Sequence, residues 1–187
     1  MSKKNFPIKD AETGKEYWIS RSNAVAAVIY AKHPITGELH FLAEQRGPGC
    51  PDYVGCYAFL CGYLDFDETR EEAIKREAYE ELGLDLSPYN IIEWKTDDNP
   101  SHDPRQNIVT RYAIEASWEY LNQVVQKRNL DSESRGGEAN EVSDLKLIPK
   151  SQAGSYKWAW NHLSLIATLE EDLDMIKKIW EIKGHKN

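Results

Sequence analysis

The pattern of apolar residues in the first third of the chain predicts β-strands. Residues 16–20 and 39–46 have the composition and alternation of strands. Residues 23–31 are almost uniformly apolar, which is typical of a central strand that is covered on both faces. A turn containing Pro and Gly separates two of these segments, so we predict a hairpin there. Residues 57–64 form a further extended segment.

A helix of about four turns is predicted between Thr69 and Gly83. Thr69 and Glu72 have the spacing of a capping box, and Gly83 is a typical helix stop. Apolar residues recur every four positions at Ile74, Ala78 and Leu82. This stripe is expected to face the core.

The second half of the chain predicts more strands and a final helix. Residues 90–97 and 107–116 form a strand pair, and residues 142–149 form a late strand. The polar, Gly-containing residues 131–140 predict a loop. Apolar residues keep a helical period over roughly 161–182. Strands around one internal helix, with a second helix at the end, predict an α/β fold with a mixed sheet.

Three glutamates, Glu77, Glu80 and Glu81, share a face of the internal helix. Glu77 and Glu81 are a like-charged i,i+4 pair, which destabilises an isolated helix. Glu80 and Glu81 also lie in the last turn, where the helix dipole disfavours negative charge. Carboxylates placed against both preferences indicate a bound cation, and oxygen donors favour Mg²⁺ or Mn²⁺. The alternative is a solvated acidic surface.

The stretch from Gly62 to Leu84 reads GYLDFDETREEAIKREAYEELGL. It matches the pattern G-x5-E-x7-R-E-U-x-E-E-x-G-U at every defined position, where U is apolar. The segment therefore resembles the Nudix box, and the chain is similar to the Nudix hydrolase family. The resemblance implies an α/β/α sandwich with a mixed sheet. We expect a single domain over residues 1–187, with its core at about 20–182.

The resemblance implies cleavage of the pyrophosphate bond of a nucleoside diphosphate derivative. It assigns the divalent ion, Mg²⁺ or Mn²⁺, to three box glutamates and to the carbonyl group of the first glycine. It assigns the orientation of the helix to a Glu–Arg pair. The metal ligands are then Gly62, Glu77, Glu80 and Glu81, and the orienting pair is Glu68 and Arg76.

The general base has two candidates. In several Nudix enzymes the base lies on a loop late in the chain, and here Glu138 and Glu141 follow two glycines that allow motion. Glu141 adjoins the predicted late strand and is the better placed of the two. Glu77 is the competing base within the helix, and a solvated acidic loop is the alternative for residues 136–141.

Two arginines are candidates for substrate binding. Arg46 ends a strand where an arginine in this fold often faces the phosphates, although a surface arginine is equally compatible with the sequence. Arg105 lies in a loop, Asp103-Pro104-Arg105, that resembles one in ADP-ribose pyrophosphatases. Gln106 replaces the glycine that usually follows, so an ordinary turn is the alternative. The aromatic candidates for stacking on a base are Tyr53, Tyr57, Phe59 and Trp158, each also compatible with the core.

ADP-ribose is slightly favoured as substrate over nucleotide sugars, dinucleotides and dNTPs. A second hypothesis is a non-catalytic Nudix domain that senses a nucleotide, although sensors often lose box carboxylates and none is missing here. A third is isopentenyl diphosphate isomerisation on a related fold, but the surroundings of its catalytic cysteine are not recognisable in this sequence.

Composition limits the kinds of binding partner and indicates a cellular compartment. The net charge of −8 argues against binding duplex nucleic acid or an anionic membrane. No apolar run approaches membrane-spanning length, and the N-terminus lacks the apolar part of a signal sequence. Three cysteines, an odd number, suggest reduced thiols in the cytoplasm. Their spacing does not suggest zinc. Nudix enzymes of this size are often homodimers, but the sequence leaves the oligomeric state open.

Overall fold

The computed structural model of the protein describes residues 6–98, 107–130 and 141–182. Its elements in chain order are β1 (Phe6–Lys9), β2 (Glu16–Ile19), β3 (Asn23–Lys32), β4 (Leu39–Arg46), β5 (Tyr57–Ala58), β6 (Leu60–Tyr63), α1 (Arg70–Leu82), β7 (Ile92–Asp97), β8 (Ile108–Glu115), α2 (Trp118–Leu130), β9 (Val142–Pro149) and α3 (His162–Ile182). A 3-10 helix, Lys150–Ser155, lies between β9 and α3. None of the described helices is long and apolar enough to cross a membrane.

Seven strands of the described ranges form one mixed sheet, and β1 and β2 form a separate two-stranded sheet. Strand β3 lies centrally, parallel to β8 and antiparallel to β4 and β6. Strand β4 pairs with β3 only near their connecting turn, and its far end pairs with β5. Strand β9 pairs along the other edge of β4, and β7 pairs with β8. Because β3 and β4 diverge, β6 reaches the middle of the sheet immediately before α1.

The two faces of β3 explain why its sequence is apolar throughout. Val25, Ala27 and Ile29 face one hydrophobic cluster, which also contains residues of α1 and α2. Val28 and Tyr30 face a second cluster, which contains residues of α3. Side chains alternate between the faces of a strand, so both parities must be apolar when both faces are covered. The predicted central strand is thereby confirmed.

Helices cover both faces of the sheet, so the predicted α/β/α sandwich is confirmed. The stripe of α1 is buried on the first face, together with Leu121 and Val124 of α2. On the opposite face α3 buries Leu165, Ile166 and Leu169. The capping box of α1 is present: the Thr69 hydroxyl accepts from Glu72 N, and the Glu72 carboxylate accepts from Thr69 N. Gly83 ends the helix with a left-handed φ of 68°.

Three sequence predictions need correction. Helix α2 was not predicted, because few apolar positions of Trp118–Leu130 face the core and its remaining surface is polar. The predicted strand 57–64 is divided at Phe59 into two short strands. The first, β5, pairs with β4, and the second, β6, pairs with β3. Strand β1 was also not predicted. The predicted loop 131–140 lies outside the described residues.

Candidate active site

Helix α1 holds Glu77 directly against strand β6. The Glu77 side chain is buried, with the residue 9% exposed. A Cβ atom at Gly62 would lie 2.0 Å from Glu77 Oε1, so only glycine leaves room for this carboxylate. Burial raises the pKa of Glu77, and the hydrogen bond from Arg76 opposes that shift. The first glycine of the box is therefore required by close packing.

Arg76 connects α1 to the segment before it. Its Nε donates to Glu68 Oε1 at 2.8 Å, and its Nη2 donates to Glu68 Oε2 at 3.1 Å and to the Tyr63 carbonyl oxygen at 3.0 Å. Its Nη1 donates to Glu77 Oε1 at 2.9 Å and to Glu80 Oε2 at 3.0 Å. The hydrogen bond from Arg76 lowers the pKa of Glu68. The Glu68–Arg76 contact expected from the sequence is thus present.

The three glutamates of the box have different neighbours in the structure. Glu77 faces Gly62, Glu81 faces Glu44 on β4, and Glu80 is exposed beside Arg76. Successive residues of an α-helix are separated by about 100° around its axis, so Glu80 and Glu81 point in different directions. Arg76 lies four residues before Glu80 and holds it by an i,i+4 ion pair.

Glu44 is an acidic residue of this site that the sequence analysis did not identify. It is 4% exposed and lies within hydrogen-bonding reach of Glu81. Burial raises the pKa of both carboxyl groups, and each also feels the charge of Glu77. Leu42 lies two positions earlier on β4 and faces the cluster beneath α1, so strand alternation directs Glu44 toward α1 as well. An acidic residue at a core-facing strand position was the available signal.

The oxygen donors of this region fit a hard divalent ion. Glu44 Oε2 and Glu81 Oε2 are buried and, among the described residues, have no hydrogen-bond partner. Carboxylate oxygens without thiolate or imidazole donors suit Mg²⁺ or Mn²⁺. No group of three or more His, Cys, Asp or Glu side chains in the described ranges is arranged to hold a metal ion. Such donors are thus present on α1 and on the facing strand β4.

Arg46 is buried at the end of β4, so the surface-arginine alternative is wrong. Its Nη2 donates to Asp52 Oδ1 at 2.9 Å, and its Nε donates to the Asp52 carbonyl oxygen at 3.0 Å. The pairing of β4 with β9 shifts register between Gln45 and Arg46, as bulges do next to functional sites. Burial raises the pKa of Glu44 and the charge of Arg46 opposes that rise, so the guanidinium lies near the carboxylate cluster.

An exposed aromatic pair covers Arg46. The Trp160 ring lies 4.7 Å from the Arg46 guanidinium carbon, and the Tyr53 ring centroid lies 5.2 Å from that of Trp160. Tyr53 and Trp160 have positive φ values of 52° and 47°, which is uncommon for aromatic residues. Tyr57 and Phe59, two of the predicted stacking residues, are instead buried in the core. Trp160 was not among the sequence candidates.

Glu141 is exposed and lies immediately before β9, near Glu81 of the carboxylate cluster. Its carbonyl oxygen accepts from Gly47 N at 2.6 Å and from Cys50 Sγ at 3.2 Å. Its charge raises the pKa of Glu81, so the two carboxylates are close enough to interact. Glu138 and Arg105, with its Asp-Pro-Arg loop, lie outside the described residues.

Cys61, immediately before Gly62, is a free thiol beside the same cluster. Burial and the charges of Glu44 and Glu81 raise its pKa. The thiol is therefore protonated near neutral pH and has the character of a small packing residue rather than of a thiolate ligand.

The comparisons with known proteins agree with this geometry. A family model described as the NUDIX domain matches residues 20–169. The chain belongs to the Nudix family, and this membership supports its assignment as a Nudix pyrophosphohydrolase. No curated protein matches the sequence significantly.

Solved structures show the same fold at low sequence identity. A MutT/Nudix family protein from Listeria innocua has a TM-score of 0.59 and 23% identity, covering 86% of this chain and 97% of its own. The Nudix domain of Shewanella oneidensis NrtR, complexed with ADP-ribose, has a TM-score of 0.58 and 22% identity. The match covers 83% of this chain and 90% of that domain. NrtR complexed with a 27mer DNA has a TM-score of 0.61 and 24% identity, covering 80% of this chain and 61% of that protein.

Proposed function

We propose that this protein is a divalent-metal-dependent hydrolase that cleaves the pyrophosphate bond of a nucleoside diphosphate derivative. The observation that carries the proposal is the placement of α1. Its Glu77 packs against Gly62, its Arg76 binds Glu68, and its Glu81 faces a second buried carboxylate. A helix fixed in this way presents oxygen donors at a defined position, which phosphoryl chemistry requires.

The residues have distinct roles in this proposal. Glu77, Glu80, Glu81 and the carbonyl oxygen of Gly62 would hold Mg²⁺ or Mn²⁺, and Arg76 with Glu68 would fix the helix that carries the glutamates. Once bound, the ion supplies neutralisation of phosphate charge and a water of lowered pKa.

The proton of the attacking water needs an acceptor in the protein. We assign this role to Glu141, because its carboxylate is exposed and lies close enough to Glu81 to affect its pKa. Glu77 is the competing base, although Arg76 already engages its Oε1.

Arg46 and two exposed aromatic residues suit the substrate. Arg46 is a buried, oriented cation that can face a phosphate group. The rings of Tyr53 and Trp160 are exposed and tilted by 56° to each other, so each offers its own face to a nucleobase. Base–aromatic stacking contributes about 1–3 kcal/mol per base. ADP-ribose remains the first substrate to test, supported by the fold shared with the NrtR domain and by the loop that contains Arg105.

A substrate screen tests the proposal. The full chain is incubated with Mg²⁺ and with ADP-ribose, nucleotide sugars, dinucleotides or dNTPs at equal concentration, and phosphatase-coupled phosphate release is measured. ADP-ribose should yield AMP and ribose 5-phosphate. A clear preference for dNTPs would reject ADP-ribose but keep the pyrophosphohydrolase. Absence of turnover with every substrate, together with tight binding of one nucleotide, would favour the alternative of a nucleotide-sensing domain.

The remaining expectations stay proposals. We infer a single Nudix domain that acts in the cytoplasm on a small nucleotide-type substrate, without duplex nucleic acid or membrane. The net charge of −8 supports the absence of a duplex-binding surface. A homodimer is a further proposal, which the mass of the protein in solution would test.

A further inference from the structure

Glu44 is a costly polar placement in the described part of the candidate site. Its side chain lies beneath α1 on the core-facing side of β4, and the residue is 4% exposed. Its Oε2 atom has no hydrogen-bond partner among the described residues, and the same holds for Oε2 of Glu81. A buried carboxylate oxygen without a partner costs on the order of 1–3 kcal/mol, and more when it is charged.

The two carboxylates also oppose each other. Glu44 and Glu81 lie within hydrogen-bonding reach, and Glu77 adds a third negative charge. Arg46 and Arg128 face Glu44 with positive charge, but Arg46 is already engaged by Asp52. A side chain selected only for stability at this position would be apolar, like Leu42 on the same face of β4.

A divalent cation explains both costs. It would give the two unpartnered oxygens a common partner and would neutralise two like charges in a buried place. Glu44 lies on a different element, 33 or more positions before Glu77, Glu80 and Glu81, and the box pattern does not include it. We propose that Glu44 binds the divalent ion together with Glu81 and is a carboxylate ligand from outside the Nudix box.

This inference rests on the proposed metal dependence, and the experiment separates the two. Mn²⁺ binding to the full chain is measured by calorimetry and by electron paramagnetic resonance for the wild type, Glu44→Gln, Glu44→Asp and Glu81→Gln. The matched control is Glu171→Gln, which removes one negative charge from an exposed position of α3 on the opposite face of the sheet. Thermal unfolding in chelator reports the stability of each variant.

Glu44→Gln should weaken Mn²⁺ binding by about tenfold or more while its melting temperature in chelator stays level or rises, because like-charge repulsion is relieved. Glu44→Asp keeps the charge but withdraws the carboxylate by one methylene, so weaker binding in this variant supports direct ligation. Glu171→Gln should bind as the wild type does.

Wild-type affinity in both folded Glu44 variants, with weaker binding in Glu81→Gln, would overturn the role of Glu44 and leave the proposed function standing. It would mean that Glu44 and Glu81 share a proton instead. Absence of Mn²⁺ binding by the wild type would overturn both the role of Glu44 and the proposed metal-dependent function. If Glu44→Gln does not fold, Glu44→Asp alone decides.

Discussion

Gly62 and Glu77 are packed so closely that a Cβ atom on the glycine would lie 2.0 Å from Glu77 Oε1 and 2.8 Å from its Cγ. The contact joins the end of the sheet to the middle of the helix. The nearest atoms belong to the end of a flexible side chain, so an added methyl group would displace the Glu77 carboxylate before it displaced the backbone.

Gly62→Ala should therefore lower kcat by about 10- to 100-fold, because a displacement of roughly 1 Å at a catalytic group has this effect. The fold should remain, with a loss of about 1 kcal/mol in the free energy of unfolding. The matched control is Gly154→Ala, where an added Cβ atom has no neighbour within 4 Å. Steady-state kinetics and urea unfolding measure both effects, and normal turnover in Gly62→Ala would show that the position of Glu77 is unimportant.

Arg76→Ala should reduce activity and stability together. The arginine makes hydrogen bonds to three carboxylates and to the Tyr63 carbonyl oxygen, and its loss leaves the buried Glu77 without this partner. We expect a loss of about 1–3 kcal/mol in the free energy of unfolding. Arg76→Lys should not restore activity, since an ammonium group cannot reproduce the paired contact with Glu68.

The control for Arg76 is Lys75→Ala on the same helix. Lys75 makes an exposed i,i+4 pair with Glu71, which contributes little. Normal melting and normal turnover in Arg76→Ala would rule out its role in orienting α1.

His162 should make the protein sensitive to acid. Its Nδ1 accepts a hydrogen bond from Phe59 N at 2.9 Å. Burial, together with the charges of Arg111 and Arg46, lowers its pKa to about 3 from an ordinary value of 6.5. A depressed pKa contributes stability that is present above the ordinary pKa and is lost as the pH falls, because the unfolded chain binds the proton first.

The free energy of unfolding should thus decline as the pH falls from about 6.5 to about 3. His162→Asn keeps an acceptor near the position of Nδ1 but does not titrate. The free energy of unfolding of this variant should therefore fall less steeply with decreasing pH than that of the wild type. His33→Asn is the control, because His33 Nδ1 also accepts backbone hydrogen bonds but lies in a partly exposed turn. Urea unfolding at several pH values gives the free energy of unfolding of each variant. If this free energy depends equally on pH in the wild type and in His162→Asn, His162 is not the cause of the acid sensitivity.

Trp160→Ala should raise KM for a nucleotide substrate by about tenfold, with a smaller effect on kcat, because the variant loses a stacking surface. The effect should be absent for a sugar diphosphate that lacks a base. Tyr17→Ala is the matched control, since Tyr17 is also an exposed aromatic residue that lies against a cation, Lys15. An equal rise of KM for both kinds of substrate would mean that Trp160 serves only to hold Arg46.

Glu141→Gln should remove the acidic limb of the pH–rate profile at saturating Mg²⁺ while metal affinity is kept. The reason is the proximity of its exposed carboxylate to Glu81. The comparison variant is Glu77→Gln, the competing base. An unchanged profile in Glu141→Gln, with the limb lost in Glu77→Gln, would return the role of base to the box.

Local interactions explain why much of the fold could be predicted. The start and end of α1 depend on residues within the helix itself, namely Thr69, Glu72 and Gly83, so the sequence was sufficient. The central strand was equally clear, because burial on both faces requires apolar residues at every position. Helix α2 was missed because its core-facing residues are few and its pairing with the sheet is a tertiary contact.

The sequence by itself determined the family and the residues of the box, since their spacing is fixed along a single segment. It did not determine how their carboxylates are directed. Glu80 turns to Arg76, whereas Glu81 meets Glu44, which is far away in sequence. The meeting of Glu44 with Glu81, and of Trp160 with Arg46, depends on the divergence of β3 and β4 and on the docking of helices on opposite faces. Such contacts join residues that no local pattern relates, so only the tertiary structure decided them.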